Sequence, residues 1–488
     1  MSSPTRFRFL NREDEVRTAA DWDKAGREAL WTYNLHYFDD LNARNADERS
    51  EWHRSLLARW IAENPIGHGR GWDPFPTSLR VVNWIKWLWR GNAPLDGMIQ
   101  SMAVQARWLE RRIEYHLLGN HVLVDAKGLL FAGFAFGGAE GERWLRKGCR
   151  LLCDQLAEQF LPDGGHFELS PMYHSLMIED LLDVINAGRG RLSEPVLEQL
   201  AGYAARGLGW LDTLADEQGR VPLLNDATGD VSATLSELRD YAAQMRIRPN
   251  TSNLRSVQFA HGWTGRCCSG YWVLTNGPFR LWFDAAPLGP DYQPGHAHGD
   301  MLSLLLNYSG EPVLTDTGIS TYEPGKQRDY ERSVAAHNTV RIDELDQAEF
   351  WSGFRVARRG HPLGFRLLPD GLQCGHDGFA VQRRGLFHTR RVELKPEGFV
   401  VTDSLNGSAT HSFEAFWHFA PNVSVEIMKP GKIVVARKLT VEVDGGSPRL
   451  EESCYWGRHG LVEARKCLVV SGTFSGNAKL RLSCSVRP

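Results

Sequence analysis

The spacing of apolar residues changes near residue 250, and this change constrains the fold more than any other feature of the sequence. Before it, apolar side chains recur every three or four residues, as in segments 51–63 and 77–90, which is typical of amphipathic helices. After about residue 255, short alternating segments rich in β-branched residues and bounded by Gly, Asn, Asp or Pro indicate strands. A run of helices followed by a run of strands predicts an α+β protein with two separate cores.

The two patterns also predict the domain boundary. Gly- and Pro-rich connections between the helical segments fit turns between antiparallel helices. We therefore predict a helical domain at 1–250 and an antiparallel β domain at 251–488. The remaining helical patterns lie at 93–116, 120–137, 141–160, 172–188, 194–214 and 232–246.

Composition excludes several classes of protein. A formal charge of −3 shows no bulk basicity, so we expect no nucleic-acid partner. The most apolar segment, 129–136, is too short to span a bilayer, and we expect no membrane insertion. The N-terminus shows no signal peptide, which favours the cytoplasm, with a periplasmic or secreted location as the alternative if a leader was removed. The eight scattered cysteines are expected to be free thiols.

The sharpest chemical motif is His-Ala-His-Gly-Asp, which precedes an apolar segment. His296 and His298 are two residues apart on an extended segment and therefore point the same way, with Asp300 beside them. Asp316 ends the next apolar segment, where a hairpin brings it back. These residues predict either a His/Asp zinc site completed by a distant third ligand or an internal hydrogen-bonded cluster.

Two polar segments open predicted helices. Asn120 and His121 begin one of them, where Asn is usually a helix cap. The loop at 163–174 leads into another through Ser-Pro, a good N-cap and N1 pair, and contains Glu168 and Tyr173. Each of these residues could have a structural role, as a helix cap, a member of a buried pair or a packing residue. Each could instead belong to a functional site.

Several basic and polar residues could meet an acidic ligand or be solvated. The charged segment 326–332 is predicted to be a loop, and an Ala-His-Asn-Thr motif follows it. On the helical side, Arg70, Arg80 and Trp72 could likewise either contact a ligand or have no role in binding. The residues concerned are Arg70, Trp72, Arg80, Arg328, Arg332, His337, Asn338 and Arg355.

Taken together, these motifs resemble the heparinase II/III family. The resemblance covers about residues 30–420, in the family's order: 31–41, 72–84, 117–129 and 163–174 on the helical side, then 296–318, 328–333 and 336–340. It implies an incomplete (α/α) toroid followed by an antiparallel β-sandwich. It also implies a polysaccharide lyase that cleaves uronic-acid-containing chains by β-elimination.

The resemblance assigns roles to individual residues. Asn120 and His121 would neutralise the uronate carboxylate, and Tyr173 would be the acid and often also the base. His296 would be a second acid/base, placed opposite Tyr173 across the cleft. A Glu that some members carry near the Asn-His pair has no clear match, since Asp125 is close but shifted. The residues expected to bind substrate are Trp72, Arg80, Glu168, Arg328, His337 and Asn338.

The resemblance further implies one structural zinc ion and no organic cofactor. His298 and Asp316 match two of the metal ligands. The third is best matched by His376, with His337 as the second choice.

The function predicted first is a lyase for an acidic polysaccharide, either a glycosaminoglycan such as heparan sulfate, chondroitin sulfate or hyaluronan, or an alginate-like chain. The alternatives are a non-catalytic carbohydrate-binding or surface-polysaccharide assembly protein of the same fold, and a zinc hydrolase. An elimination differs from hydrolysis because only elimination creates a conjugated double bond.

Overall fold

The structure, a computed structural model, describes residues 1–429, 431–435 and 439–486. Every helical segment predicted from the sequence is present, and a further helix, α1, precedes them. The helices of the described residues are α1 (Ala29–Tyr37), α2 (Ser50–Glu63), α3 (Pro74–Trp89), α4 (Met98–Glu110), α5 (Gly119–Ala135), α6 (Gly138–Gln159), α7 (Pro171–Gly188), α8 (Glu194–Leu214), α9 (Leu235–Gln244) and α10 (Lys326–Arg332).

Most of the strands follow α9. They are β1 (Arg6–Phe9), β2 (Arg12–Glu15), β3 (Arg255–Gln258), β4 (Thr264–Cys268), β5 (Tyr271–Asn276), β6 (Phe279–Asp284), β7 (Leu304–Tyr308), β8 (Glu311–Leu314), β9 (Val340–Ile342), β10 (Glu349–Trp351), β11 (Arg355–Ala357), β12 (Pro362–Leu368), β13 (Gly371–His376), β14 (Phe387–Lys395), β15 (Gly398–His418), β16 (Val425–Lys429), β17 (Lys432–Val435), β18 (Leu439–Asp444), β19 (Ser447–Arg458) and β20 (Leu461–Val486).

The chain divides into two compact units. Unit 1 contains Met1–Phe160 and Met177–Ala204, and unit 2 contains Leu161–Leu176 and Ala205–Pro488. The change from helices to strands falls between α9 and β3, where the apolar period changes. The units nevertheless differ from 1–250 and 251–488, because the end of α8 bonds to the strands. Trp282 in β6, for example, donates from its indole to the carbonyl of Leu214 at 2.7 Å.

Ten of the chain's seventeen tryptophans lie in unit 1. Trp60 of α2 lies edge-on to Trp84 of α3 at 5.5 Å between ring centroids, and Trp72 packs on Trp60 at 5.7 Å. Large rings of this kind fill the wide gaps between helices and carry much of the apolar area buried on folding. Trp72, predicted to face a sugar, is only 4% exposed, so that prediction is wrong.

A buried ionic cluster joins three helices of unit 1. Lys127 of α5 donates to Asp180 and Asp183 of α7 at 2.5 and 2.6 Å, and Lys86 of α3 reaches Asp183. Burial lowers the pKa of Lys127, but the two carboxylates outweigh it and the net shift is upward. A charge this deep persists only when it is paired, so the cluster fixes how these helices pack.

Most strands of unit 2 form two antiparallel sheets that share an apolar core, and β10 and β11 form a separate hairpin. Strands β3 to β8 form a six-stranded sheet in which each strand pairs with the next. The other sheet is ten-stranded, in the order β12-β13-β14-β15-β20-β18-β17-β16, with β19 on β20 and β9 on β15. Buried residues alternate along β14, as expected for a strand with one face on a core. Side chains of both sheets, such as Trp272 and Val401, belong to one cluster.

The segment 326–332, predicted to be a loop, is the helix α10. Arg328 and Arg332 lie four residues apart on this helix and are both buried. Their guanidinium groups have hydrogen-bond partners inside unit 2, which offset part of the cost of burying them.

Candidate functional site

The candidate residues of unit 1 lie in the first turn of α5. Asn120 is buried, whereas His121 is about a quarter exposed. Leu118, just before them, has φ 61° and ψ −157°, a conformation that is costly for a residue with a Cβ. Such strain persists where the surrounding structure fixes the backbone, which is common at functional sites.

His121 has a carboxylate partner that the sequence did not identify. Its Nδ1 lies 2.9 Å from Oε2 of Glu114, and its ring centroid lies 4.7 Å from that of Phe75. Asp125 instead accepts from the backbone N–H of Glu114, and burial raises its pKa to about 7. Glu114 is therefore the acidic residue of this Asn-His pair. An amide and an imidazole at a helix N-terminus can bind a carboxylate.

Arg80 does not lie where the sequence predicted a substrate. It is fully buried in unit 1, donates to Oε1 of Gln105 at 2.9 Å, and places its guanidinium 3.9 Å from the ring of Trp60. Its role is packing within the helical unit.

In unit 2, the loop before α7 places Tyr173. Ser170 Oγ accepts from the backbone N–H of Tyr173 at 3.3 Å, in accord with the predicted cap. Leu169 has φ 58°, and its carbonyl accepts from the hydroxyl of Tyr271 and the amide of Asn225. Asn225 has φ 56° itself. Several hydrogen bonds thus fix the backbone of the loop that leads to Tyr173.

Tyr173 and His296 are in direct contact. Their ring centroids are 3.9 Å apart, and the Tyr173 hydroxyl donates to that of Tyr322 at 3.1 Å. Burial raises the pKa of Tyr173, with the nearby Asp226 adding to the shift, so the phenol stays protonated at neutral pH. The sequence-based prediction that these two residues face each other across a cleft is wrong, since no sugar fits between rings in contact.

Asp226 organises this part of unit 2. The carboxylate is fully buried and accepts hydrogen bonds from His296 Nδ1 and His298 Nε2, each at 2.8 Å. It also accepts from both terminal nitrogens of Arg328. Burial by itself raises the pKa of Asp226, but Arg328 and the two histidines outweigh it and hold the pKa well below its ordinary value. Asp226 is therefore ionised.

An ionised carboxylate can only accept, so it fixes the tautomer of His296. Nδ1 of His296 donates to Asp226, so Nε2 is the ring nitrogen that can exchange a proton with a substrate. The Glu168 carboxylate lies 3.5 Å from Nε2 and is buried. An imidazolium formed at His296 would thus lie between two carboxylates. The arrangement can accept a proton at His296 and donate one from Tyr173.

A second buried cluster lies next to this pair. His337 Nδ1 is 2.9 Å from Asp316, and its ring centroid is 5.2 Å from that of His298. Burial lowers the pKa of His298 to about 4, so its ring is neutral. Within the described residues, His298 Nδ1, His337 Nε2 and Asp300 Oδ2 are buried without a hydrogen-bond partner.

These side chains do not form a metal site as they stand. In the described part of the chain, no three His, Cys, Asp or Glu side chains are arranged so that they could hold a metal ion. His376, predicted as the third ligand, contacts other residues. Its Nε2 lies 3.3 Å from Nδ1 of His388 and 3.4 Å from the side-chain amide of Gln347. The structure instead places His337, the second choice, beside Asp316.

Three residues predicted to bind substrate are buried, and their side chains form hydrogen bonds with other groups of the protein. Arg328 holds Asp226, His337 holds Asp316, and the Asn338 amide donates to the carbonyl of Thr315 at 3.1 Å. Their exposure is zero, so they position other groups. Glu168 is the one predicted substrate residue of unit 2 that lies beside the Tyr173–His296 pair.

Sequence reasoning missed Asp226 and Tyr322 in addition to Glu114. Asp226 lies in a Gly- and Pro-rich connection that looks like an ordinary turn, 70 residues before His296. Tyr322 follows Asp316 by six residues, with no pattern that distinguishes it. Only a weak sequence signal marks Asp226. It directly follows Asn225, and Thr228 and Asp230 lie in the same connection.

In the part of the chain that the structure describes, none of the helices combines the length and apolar character needed to cross a membrane.

The fold and site define the class of protein first: a helical part followed by antiparallel sheets, with a Tyr-His pair suited to proton transfer. The family models then match two stretches, the heparinase II/III N-terminus at residues 91–247 and the heparinase II/III-like C-terminal domain at residues 268–483. Together they span more than half of the chain, which belongs to the heparinase II/III family.

Two curated relatives support the assignment. The chain is 30% identical over 388 residues to a heparin-sulfate lyase of Pedobacter heparinus, covering 73% of this chain and 56% of the relative. It is 24% identical over 272 residues to a heparin-sulfate lyase of Bacteroides stercoris, covering 48% of this chain and 37% of the relative. The matches thus span about half or less of these relatives' lengths.

Among solved structures, the crystal structure of heparinase III superimposes with a TM-score of 0.75 at 17% identity, covering 96% of this chain and 79% of that one. This likeness shows the fold. It confirms the predicted incomplete (α/α) toroid followed by an antiparallel β-sandwich.

Proposed function

We propose that this protein is a polysaccharide lyase that cleaves heparan sulfate or a related uronic-acid polysaccharide by β-elimination, leaving an unsaturated uronate end. The observation that carries the proposal is the contact between the Tyr173 and His296 rings, with His296 held by the ionised Asp226. The names of the two curated relatives support heparan sulfate as the first substrate to test.

The elimination makes specific demands. The enzyme must remove a weakly acidic proton from C5 of the uronate and protonate O4 as the C4–O4 bond breaks. It must also stabilise the charge that develops on the carboxylate. By the family resemblance, Asn120 and His121 perform this last task, and this remains a prediction.

Unit 2 supplies a base and an acid. We assign the base to Nε2 of His296, which takes the C5 proton while Asp226 and Glu168 stabilise the resulting imidazolium. Tyr173, whose pKa is raised, gives its hydroxyl proton to O4 of the leaving sugar. The proton on His296 then passes to solvent, and the tyrosinate regains one. No step requires a metal ion.

The contact between the two side chains favours one epimer. Because Tyr173 and His296 act from the same side, the C5–H bond and the leaving O4 should lie on the same face of the sugar. Glucuronate meets this condition, whereas iduronate presents C5–H on the opposite face. We therefore propose a preference for glucuronate-containing linkages.

A substrate panel tests the proposal. Purified protein is incubated with heparan sulfate, chondroitin sulfate, hyaluronan, iduronate-rich dermatan sulfate and alginate while ultraviolet absorbance at about 230 nm is followed, where the conjugated product absorbs. The expected result is a steady rise with heparan sulfate and little with dermatan sulfate. No rise with any of the glycans while each is bound would favour the non-catalytic alternative and contradict the proposal.

Zinc remains a proposal that rests on the resemblance, and metal analysis tests it. We expect about one zinc per purified chain, held among His298, His337 and Asp316, because two buried imidazole nitrogens there lack partners. His337→Ala should lose the metal, whereas the matched variant His376→Ala should keep it. The absence of zinc from the wild-type protein, or its loss only from His376→Ala, would overturn this assignment.

A further inference from the structure

A two-stranded hairpin beside His296 is built with two different faces. In β10–β11, Phe350 lies opposite Val356, and both pack on a small apolar core that includes Ala297. On the other face, Trp351 lies directly opposite Arg355, and both side chains are exposed. Trp351 keeps 46% of its surface exposed although the core lies one residue away.

The turn of this hairpin reaches the catalytic pair. Phe354 is 45% exposed, and its ring centroid lies 5.9 Å from that of His296. The same ring stacks on Tyr322 at 5.3 Å and 18° between planes. Phe354, in the turn between Trp351 and Arg355, is therefore a partly exposed ring beside His296.

Two buried arginines fix the hairpin to the catalytic segment. Arg332 donates to the carbonyls of Gly353 at 2.8 Å and Ala297 at 3.2 Å, and so joins the turn to the residue after His296. Arg328, which holds Asp226, donates to the same Gly353 carbonyl at 3.1 Å. A turn held by two buried charges is rigid, and a rigid aromatic surface binds a ligand with little loss of conformational entropy.

We infer that Trp351 and Arg355 on the outer face of β10–β11, together with Phe354 in the turn between them, form a binding subsite for one anionic sugar unit next to the unit that reacts at His296. The inference rests on the proposed function and adds a subsite to it. Aromatic rings offer flat apolar faces on which a sugar ring stacks. The guanidinium of Arg355 supplies the positive charge that a carboxylate or sulfate group needs, in a geometry suited to bidentate contact.

Binding without turnover tests this inference. Trp351→Ala and Arg355→Ala are each introduced into the Tyr173→Phe protein, and the affinity for a size-defined heparan sulfate hexasaccharide is measured by calorimetry. The matched control is Trp89→Ala, because Trp89 in α3 of unit 1 is 51% exposed. We expect Trp351→Ala to weaken binding by about tenfold. Arg355→Ala should weaken it more at low salt than at high salt.

The outcomes separate the inference from the function on which it rests. Unchanged affinity in both hairpin variants, with tight binding by the Tyr173→Phe parent, would overturn the subsite and leave the lyase proposal standing. An equal loss in Trp89→Ala would also overturn it. If the parent and the wild-type protein both fail to bind the hexasaccharide, the substrate proposal fails, and the subsite fails with it.

Discussion

Replacing Tyr173 with phenylalanine is expected to lower the turnover number of the proposed elimination by about 10²–10⁴-fold. The change removes the hydroxyl that protonates O4 of the leaving sugar. The ring remains and keeps its packing against His296 at 3.9 Å. The same hydroxyl donates a hydrogen bond to Tyr322, and removing that bond costs about 1 kcal/mol of stability.

Initial rates with heparan sulfate, together with thermal unfolding, measure both effects. Tyr203→Phe in α8 is the matched control, because it removes a phenol hydroxyl from a ring that packs on Phe160 in unit 1. We expect that control to retain wild-type turnover. Turnover of the Tyr173→Phe protein within a few-fold of wild type would show that another group is the acid.

The second large effect is expected for Asp226→Asn. The amide cannot accept from His296, His298 and Arg328 as a carboxylate does, so the tautomer of His296 is no longer fixed. Loss of a carboxylate that orients a catalytic imidazole costs up to about 10⁴-fold in turnover, and we expect a loss of at least 10²-fold. Arg328 is also left as a buried charge without an anion, which lowers the free energy of unfolding by about 3–5 kcal/mol.

A double variant separates these two consequences. Adding Arg328→Met to Asp226→Asn removes the unpaired charge, so we expect part of the stability to return while turnover stays low. Denaturant unfolding measures stability, and rates are taken at a temperature where all variants are folded. Recovery of turnover along with stability in the double variant would mean that Asp226 has a structural role alone.

Much of the fold could be predicted because it depends on local pattern. The apolar period of three to four residues located eight helices, and the period of two marked the change to strands after about residue 255. The cap at Ser170 and the place of Tyr173 in the first turn of α7 also follow from neighbouring residues. Such features depend on residues within one or two turns, which a single sequence displays.

Other features depend on contacts between distant residues, and these the sequence could not show. Arg328 lies in a charged segment that resembles a solvated loop, yet its partner Asp226 is 102 residues away and makes its burial favourable. Trp72 lies two residues before Pro74, in a segment where an exposed sugar-binding ring was predicted, but the surrounding tryptophans bury it.

The histidines show the same limit within one motif. His296 and His298 were expected to point the same way, and both reach Asp226. The sequence alone could not decide whether His337 or His376 lies near Asp316, because each stands in a local motif that fits the role. The fold decides it. Strand pairing places His376 opposite His388 in β13–β14, and the hairpin return places His337 against Asp316.

The central claim is that the chain breaks a glycosidic bond by elimination, and the fate of solvent oxygen tests it most directly. Heparan sulfate is digested in water enriched in the heavy oxygen isotope, and the products are weighed by mass spectrometry under conditions that limit later exchange. Elimination predicts products whose masses sum to that of the substrate, with no solvent oxygen in the cleaved linkage. Products that gain one water, carrying the heavy isotope at the new reducing end, would show hydrolysis and contradict the account.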